Sequence, residues 1–423
     1  MRPVEDEGCE GHGDLLERGA RRLEWARDHM PVLGRVRRRL SKEGALRGVR
    51  VGMALHVEAK TGQLALALAE AGADVRLASC NPLSTDDSVA TALRESRSLP
   101  VFARRGEGHD EYYRNLDSVL DMRPNVVVDD GGDLTQILHT RRRDLLADVW
   151  GGCEETTTGV VRLRAMAREG ALAYAVMDVN DAMMKHMFDN RYGTGQSTLD
   201  GIMAATNLLL AGKRVVVAGY GWCGRGIAMR CRGMGALVTV SEVDPVRAVE
   251  ALMDGMDVAP MREAIAHADI VVTATGCAGV VGAEDLKVAK DGVVLANAGH
   301  FNVEVDQAAL AGMARETRQV RENVVRYTLA DGRRLDLVAE GRLVNLAAGQ
   351  GHPVEIMDLS FALQALAVEH VVRNRGRLEP RVHPLPAAFD DEVARAFLEA
   401  RSARIDALNQ SQRDYLGGWR EGT

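Results

Sequence analysis

Gly219-x-Gly221-x-x-Gly224 follows the β-branched run Val215 to Val217 and is itself followed by helix-forming sequence. The three glycines do different things: the first allows a tight turn, the second lets a pyrophosphate approach the backbone, and the third lets the helix pack close on the strand. Phosphates would then meet the free N–H groups and the positive end of that helix. A second apolar run, Ala236 to Val240, leads to Glu242, 21 residues beyond Gly221. A carboxylate there accepts from both ribose hydroxyls and repels a 2′-phosphate, which points to NAD rather than NADP. Arg225 and Arg247 are the nearby cations that argue the other way. Other residues are equipped to hold and move protons. Lys185 and Asp189 are four apart and share one face if helical. Asp129-Asp130-Gly131-Gly132-Asp133 closes the apolar run Asn125 to Val128, and His300 and His352 each follow a glycine in loop-like sequence.

The elements that must position these groups alternate. Residues 14 to 45 read as two charged helices broken at Met30-Pro31, where proline suits a first helical turn. From Val51 the pattern is strand (VGMAL), helix (60 to 72), strand (ADVRLAS), loop (CNPLST), helix (86 to 95), short strand (PVFAR), helix (111 to 122) and the strand ending in Asp129. A polar loop, GGCEETTT (151 to 158), precedes a helix at 159 to 169 and a strand within 171 to 180, and a helix from about 194 to 210 leads to the glycine turn. Strands and helices then alternate to about 345, with strands at Ile270 to Thr273 and Val293 to Asn297. A long helix (Val354 to Val372), a proline-rich crossing (380 to 386) and a polar amphipathic tail follow. Such alternation implies parallel sheets covered on both faces, with ligands at the carboxyl ends of the strands.

Length and composition bound the reading. A chain of 423 residues exceeds one ordinary core and fits two or three domains. A net charge of −7 offers no bulk attraction to nucleic acid or acidic membranes, and the basic run Arg35 to Arg39 reads as a solvated helix face. No run approaches 18 apolar residues and the leading MRPVEDEGCEGHG has no apolar core, so a cytoplasmic location is expected, without membrane or nucleic-acid partners. Cys9, Cys80, Cys153, Cys223, Cys231 and Cys277 form no C-x-x-C, so neither a disulfide framework nor a metal site is indicated.

Eight stretches in order resemble the S-adenosyl-L-homocysteine hydrolase (adenosylhomocysteinase) family: NPLST (81 to 85), DDGGDLT (129 to 135), EETTTGV (154 to 160), VNDAMMKHMFDNRYG (179 to 193), GYGWCGRG (219 to 226), TGC (275 to 277), NAGHFNVEVD (297 to 306) and GRLVNLAAGQGHP (341 to 353). The resemblance implies an α/β chain of two doubly wound parallel-sheet domains. They are a discontinuous substrate domain (1 to 184 and 353 to 390) and an inserted Rossmann NAD domain (185 to 352), with a small C-terminal tail (391 to 423). It implies a cytoplasmic homotetramer of the methyl cycle that reversibly hydrolyses S-adenosyl-L-homocysteine to adenosine and homocysteine. NAD would oxidise the 3′-hydroxyl, the thiol would leave by elimination, water would add, and re-reduction would complete the cycle.

By the same resemblance Lys185 and Asp189 flank the ribose hydroxyls, with Lys185 taking the O3′ proton and Asn180 and Glu155 in support. Asp130 and His56 serve the C4′ proton and the leaving thiol or incoming water. His300 lies beside substrate and nicotinamide, and His352 near the nucleoside. Thr156, Thr157, Thr158, Asn190 and Asn345 resemble cofactor contacts, with Thr275 and Asn297 in the matching TGC and NAGH frames. Three departures stand out. Thr194 replaces a frequent cysteine, so a thiol nearby is not required. The chain ends LGGWREGT without the family's lysine-and-tyrosine tail, from which weaker cofactor retention is expected. The purine stretch reads His56-Val57-Glu58-Ala59-Lys60-Thr61, and a Glu58–Lys60 pair matches an N1–H donor and an O6 acceptor, as in S-inosyl-homocysteine, unless the two simply pair with each other. A net NAD dehydrogenase and a catalytically silent relative are the competing classes. The complete elimination site disfavours the first, and the presence of Lys185, Asp189, Asp130, His56 and Glu155 disfavours the second.

Overall fold

The computed structural model describes residues 11–420. Cys9 and the rest of the leading ten residues, and the last three of LGGWREGT, lie outside the described residues. The strands are β1 (Arg50–Ala54), β2 (Asp74–Ala78), β3 (Val101–Phe102), β4 (Val126–Asp129), β5 (Gly151–Glu154), β6 (Val176–Asp178), β7 (Arg214–Ala218), β8 (Leu237–Ser241), β9 (Asp257–Val258), β10 (Ile270–Thr273), β11 (Val293–Asn297), β12 (Ala314–Arg321), β13 (Val324–Leu329), β14 (Arg334–Val338) and β15 (Val382–Pro384). They build a seven-stranded sheet ordered β15-β6-β5-β4-β1-β2-β3 and an eight-stranded sheet ordered β12-β13-β14-β11-β10-β7-β8-β9.

Continuous apolar strands form because both faces of each sheet are covered. In β4, Val126 and Val128 belong to one core and Val127 to another. In β7, Val215 and Val217 likewise face one core and Val216 the opposite one. The α/β class with a Rossmann unit therefore holds. One edge departs from the expected parallel arrangement: β12 pairs antiparallel with β13, and β13 antiparallel with β14. Asp331-Gly332, with Gly332 at φ +93°, makes the β13–β14 turn, a hairpin signal of the kind an Asp-Gly pair provides.

The chain crosses between sheets through the Met183–Lys185 turn, a π-helical stretch His186–Gly193 and the helix Thr194–Thr206, shorter than the expected 194 to 210. It returns through Val344–Ala347 into the helix Val354–Arg373. That returning segment is knitted into the first sheet's layer. Asp358 accepts from Val32 and Leu33 N–H at the start of the Pro31–Glu43 helix (3.0 and 2.7 Å), and Asp390 accepts from Met183 and Met184 N–H (3.2 and 2.7 Å). The tail expected from 391 instead begins inside the helix Ala387–Ala400, whose Val393 and Ala396 join the first core. The helix Gln410–Gly417 has no buried residue. No described helix is long and apolar enough to cross a membrane.

Candidate active site

Within the parallel part of each sheet the strand order reverses once, between β1 and β4 in the first and between β7 and β10 in the second. Loops there diverge and leave a crevice at the carboxyl ends of the strands. His56 lies two residues past β1 and Asp130 directly follows β4, so they flank the first crevice, with Glu155 just past neighbouring β5. Gly219 follows β7 and Thr275 lies two residues past β10, flanking the second. Both crevices open into one cleft of about 1320 Å³. A single small-molecule site usually takes roughly 300–1,000 Å³, so this cleft has room for a dinucleotide and a second ligand.

Lys185 is buried among carboxylates. Its Nζ lies 3.2 Å from Asp189 Oδ2, 3.5 Å from Glu155 Oε1 and 2.8 Å from Asn190 Oδ1. Burial opposes its charge, but Asp189 and then Glu155 outweigh that and hold the ammonium above the ordinary lysine range. Burial likewise opposes the charge on Asp189. Lys185 and His352 prevail, leaving it well below the usual carboxylate range. Glu155 goes the other way: burial, only partly offset by Lys185, raises it to about 8. The π-helical turn, a form frequent at functional sites, carries Asp189 to its partners. They are Lys185, the His352 ring and Ser360 Oγ (2.9 Å).

A second group gathers around Asp130. His56 Nε2 is 3.5 Å from Asp130 Oδ2, and His300 Nδ1 is 3.7 Å from Asp130 Oδ1. His300 fits there because residue 131 is glycine: a Cβ on Gly131 would come within 2.5 Å of its Nε2. The other nitrogen of His56, Nδ1, meets Ser84 Oγ at 2.7 Å and Cys80 Sγ at 3.3 Å. Burial lowers His56 to about 4, so the ring is neutral near pH 7. Among the described residues, His56, Cys80 and Asp130 also bring potential metal-ligand atoms within 4.8 Å of one another.

The cofactor wall fits NAD on four observations. Gly219 adopts φ +94°, and a Cβ on Gly224 would lie 1.9 Å from Gly219 O, so the Trp222–Gly233 helix sits directly against the turn. A Cβ on Gly221 would meet nothing closer than Arg247 at 3.7 Å, which leaves the space a pyrophosphate needs. Asn345 lines the cleft with Oδ1 buried and unpartnered, while its Nδ2 donates to Ser197 Oγ (3.2 Å). Glu242 also lines the cleft, and its carboxylate accepts from Tyr220, Val243 and Asp244 N–H (2.7, 2.7 and 3.0 Å). Of the two opposing cations, Arg225 is engaged by Glu250 and stacks on Trp222, while Arg247 borders the cleft.

Not every expected residue reaches the cleft. Thr156, Thr157, Thr158, Asn190, Thr275 and His352 line it, but Asn180, Gly224 and Asn297 do not. Asn180 is buried between Thr157 and Asn190 (3.3 and 3.0 Å), and Asn297 spends its amide on the carbonyls of Gly299, Phe301 and Gly341. Both brace the loops behind the site.

In the purine stretch, Glu58 caps the Ala59–Glu70 helix by accepting from Lys60 and Thr61 N–H, and Lys60 Nζ bonds Glu58 Oε2 and Gln350 O, both at 2.9 Å. Glu58 and Lys60 thus pair with each other, and with Thr61 they still line the cleft. The thiol that Thr194 made unnecessary returns from another element, since Cys223 Sγ lies 3.6 Å from Thr194 Oγ1. Sequence reasoning passed over Ser84, Ser360 and Gln364. The last two sit in a helix that also carries Glu355, Asp358 and Glu369, so polarity within it does not single them out.

A family model described as "S-adenosyl-L-homocysteine hydrolase, NAD binding domain" matches residues 190–351, and one described as "S-adenosyl-L-homocysteine hydrolase" matches residues 13–145. The chain is 59% identical over 406 residues to a protein of Thermoplasma acidophilum named adenosylhomocysteinase, covering 96% of this chain and 99% of that one. It is 52% identical over 410 residues to a Methanocaldococcus jannaschii protein named S-inosyl-L-homocysteine hydrolase (97% and 98% covered). It is 53% identical over 409 residues to an Aquifex aeolicus protein named adenosylhomocysteinase (97% and 98% covered). The 59% identical relative carries the name adenosylhomocysteinase, and at 53% and 52% identity both names occur.

Proposed function

The chain belongs to the S-adenosyl-L-homocysteine hydrolase family, and from that premise we propose that it catalyses the reversible hydrolysis of S-adenosyl-L-homocysteine to adenosine and L-homocysteine, with NAD as its resident cofactor. The observation that carries the reading is the meeting, in one cleft, of the Lys185–Asp189–Glu155 group and the Asp130 group with the glycine turn. Bound NAD supplies a reversible oxidation at C3′, which acidifies the C4′ hydrogen so that a thiol at C5′ leaves by elimination.

The chain's own residues divide the remaining work. Lys185, held as an ammonium, donates to the 3′-oxygen and stabilises negative charge there. Asp189 keeps Lys185 charged and orients His352. The proton that was expected to go to Lys185 is better matched to Glu155. Its Oε1 has no hydrogen-bond partner and its affinity for a proton lies near neutral pH, as a general base requires. Asp130 takes the C4′ proton. His56, neutral and tied at Nδ1 to Ser84, has Nε2 3.5 Å from Asp130 Oδ2; it passes to the leaving sulfur the proton that Asp130 takes from C4′, and takes one back from the incoming water.

Mixing the purified protein with S-adenosyl-L-homocysteine tests this reading. Homocysteine should appear with a transient reduced-cofactor absorbance that stays with the protein. Continuous release of reduced cofactor would make it a dehydrogenase, and no turnover with no signal would make it a silent relative.

A second reading is hydrolysis of S-inosyl-L-homocysteine, the reaction named for a relative 52% identical to this chain. Lys60 is a donor only and lines the cleft; its ammonium already serves Glu58 Oε2 and Gln350 O, which leaves one of its three hydrogens for a purine 6-substituent. An O6 accepts that donor and a 6-amino group does not. Synthesis-direction turnover of homocysteine with adenosine or inosine decides between the two.

The family's usual homotetramer, cytoplasmic location and place in the methyl cycle are part of the same proposal. Val246, Val249 and Met253, exposed along one helix, support burial against other copies.

A further inference from the structure

The Val354–Arg373 helix is apolar along most of its length, yet it carries Ser360 and Gln364 fully buried. They are four residues apart and so lie on one face. Ser360 Oγ donates to Asp189 Oδ2 over 2.9 Å, and Gln364 Nε2 donates to Glu155 Oε2 over 2.5 Å. A buried polar group costs free energy unless it is hydrogen-bonded. Gln364 is bonded at one end only, because its Oε1 has no partner. An apolar side chain of the same length would remove that cost, so the packing of the helix does not ask for an amide. The amide's contribution is a donor aimed at Glu155.

We infer that Gln364, seconded by Ser360, is a positioning residue of the active site, fixing Glu155 with one carboxylate oxygen committed to the protein and the other left for a substrate hydroxyl. The inference rests on the assignment of Glu155 to the ribose hydroxyls made above. The geometry matches that division of labour: Oε2 is held by Gln364, whereas Oε1 is without a hydrogen bond and lies 3.5 Å from Lys185 Nζ. The charged groups bearing on Glu155 from the surrounding elements are Lys185 on its short helix, Asp189 on the π-helical turn and Asp130 at the end of β4. Burial raises the proton affinity of Glu155, and Lys185 and the Gln364 hydrogen bond work against that rise. Removing the amide therefore removes one stabiliser of the carboxylate and moves its titration to higher pH. Ser360 does for Asp189, and through it for Lys185, what Gln364 does for Glu155.

The test compares full-length, NAD-loaded wild type with Gln364→Met and Ser360→Ala. Adenosine is the probe, or inosine if that is the nucleoside the wild type turns over. Two quantities are followed against pH: the nucleoside dissociation constant by calorimetry and the formation of bound reduced cofactor. For Gln364→Met both profiles should move up by about half to one pH unit, which near neutral pH lowers cofactor reduction roughly three- to tenfold. Ser360→Ala should lower reduction with a smaller displacement. Profiles that superimpose on the wild type, with any loss confined to thermal stability, would show a merely structural role and overturn the inference. Should Gln364→Met fail to fold, Gln364→Glu takes its place: a second carboxyl must displace the titration further upward, and an unmoved profile is again fatal. If the wild type binds nucleoside but forms no reduced cofactor, the proposed function fails, while the binding profile still judges Gln364.

Discussion

At the scale of single residues, the site works by setting like groups apart. Asp189 and Glu155 are both buried carboxylates beside Lys185, but Asp189 gains His352 and Ser360 as partners while Glu155 gains Gln364 alone. One is driven well below the usual carboxylate range and the other up to about 8. Lys185→Ala should therefore bind nucleoside yet lose cofactor reduction by at least about a hundredfold, since the charge facing the 3′-oxygen is gone. Glu155→Gln should lose it to a similar degree and should also abolish the limb near the Glu155 titration. A Glu155→Gln profile that keeps the wild-type limb would return the proton to Lys185. On the cofactor side, Glu242→Ala should weaken NAD binding by on the order of 1–3 kcal/mol, about ten- to a hundredfold. Part of that loss comes through the turn, because Glu242 also holds Tyr220 N–H. Titration with NAD checks it, and an unchanged dissociation constant would show the register to be wrong. Most of these residues were legible because each sits in a motif whose spacing is local. Ser360 and Gln364 were not, since their partners lie 171 and 209 positions away and no local pattern records such a pairing.

At the scale of elements, apolar periodicity located nine of the fifteen described strands, because a strand buried on both faces reads as a continuous apolar run. β5, expected as part of a polar loop, and β15, expected as a proline-rich crossing, are short strands that lack such a run, as does β9. The β12–β13–β14 ribbon escaped because its outer strand, ARETRQVR, is mostly exposed and polar, and only Asp331-Gly332 marks it. The ends of elements are where capping residues come from distant sequence. Asp358 caps the Pro31–Glu43 helix from the other end of the chain, so Asp358→Ala should lower stability by about 1–2 kcal/mol, read from a denaturant midpoint. Asp358→Asn should recover much of it. A pH test belongs to the loop before the His109–Leu120 helix. There burial, partly offset by the Asn115 hydrogen bond, raises Glu107 from 4.5 to about 7. The folded chain then keeps a proton that the unfolded chain releases between those values, so this residue's contribution falls as pH rises through that window. Glu107→Gln should flatten the fall and leave the protein more stable at pH 8, by on the order of 1 kcal/mol given the loop's nearness to solvent. Parallel stability curves for mutant and wild type across that range would contradict the assignment.

At the scale of the whole molecule, two sheets each present the crevice at their strand-order reversal to a common cleft, and the chemistry arises because neither crevice is complete alone. The first contributes His56, Asp130 and Glu155, the second contributes the glycine turn and His300, and the crossing segments contribute Lys185, Asp189 and His352. The sequence made the existence of both crevices legible through strands ending in acid or glycine, but no local pattern records that they open into one cleft. This arrangement makes a specific demand of the reaction: hydrogen taken from C3′ must stay in the closed cleft and go back, while the C4′ hydrogen passes to a side chain that can trade with solvent. Substrate deuterated at both C3′ and C4′, turned over in ordinary water with the nucleoside product weighed by mass spectrometry, examines that directly. The C3′ deuterium should be retained in the product and the C4′ deuterium washed out. Loss of the C3′ label to released reduced cofactor, or a C4′ label kept in full, would contradict the account.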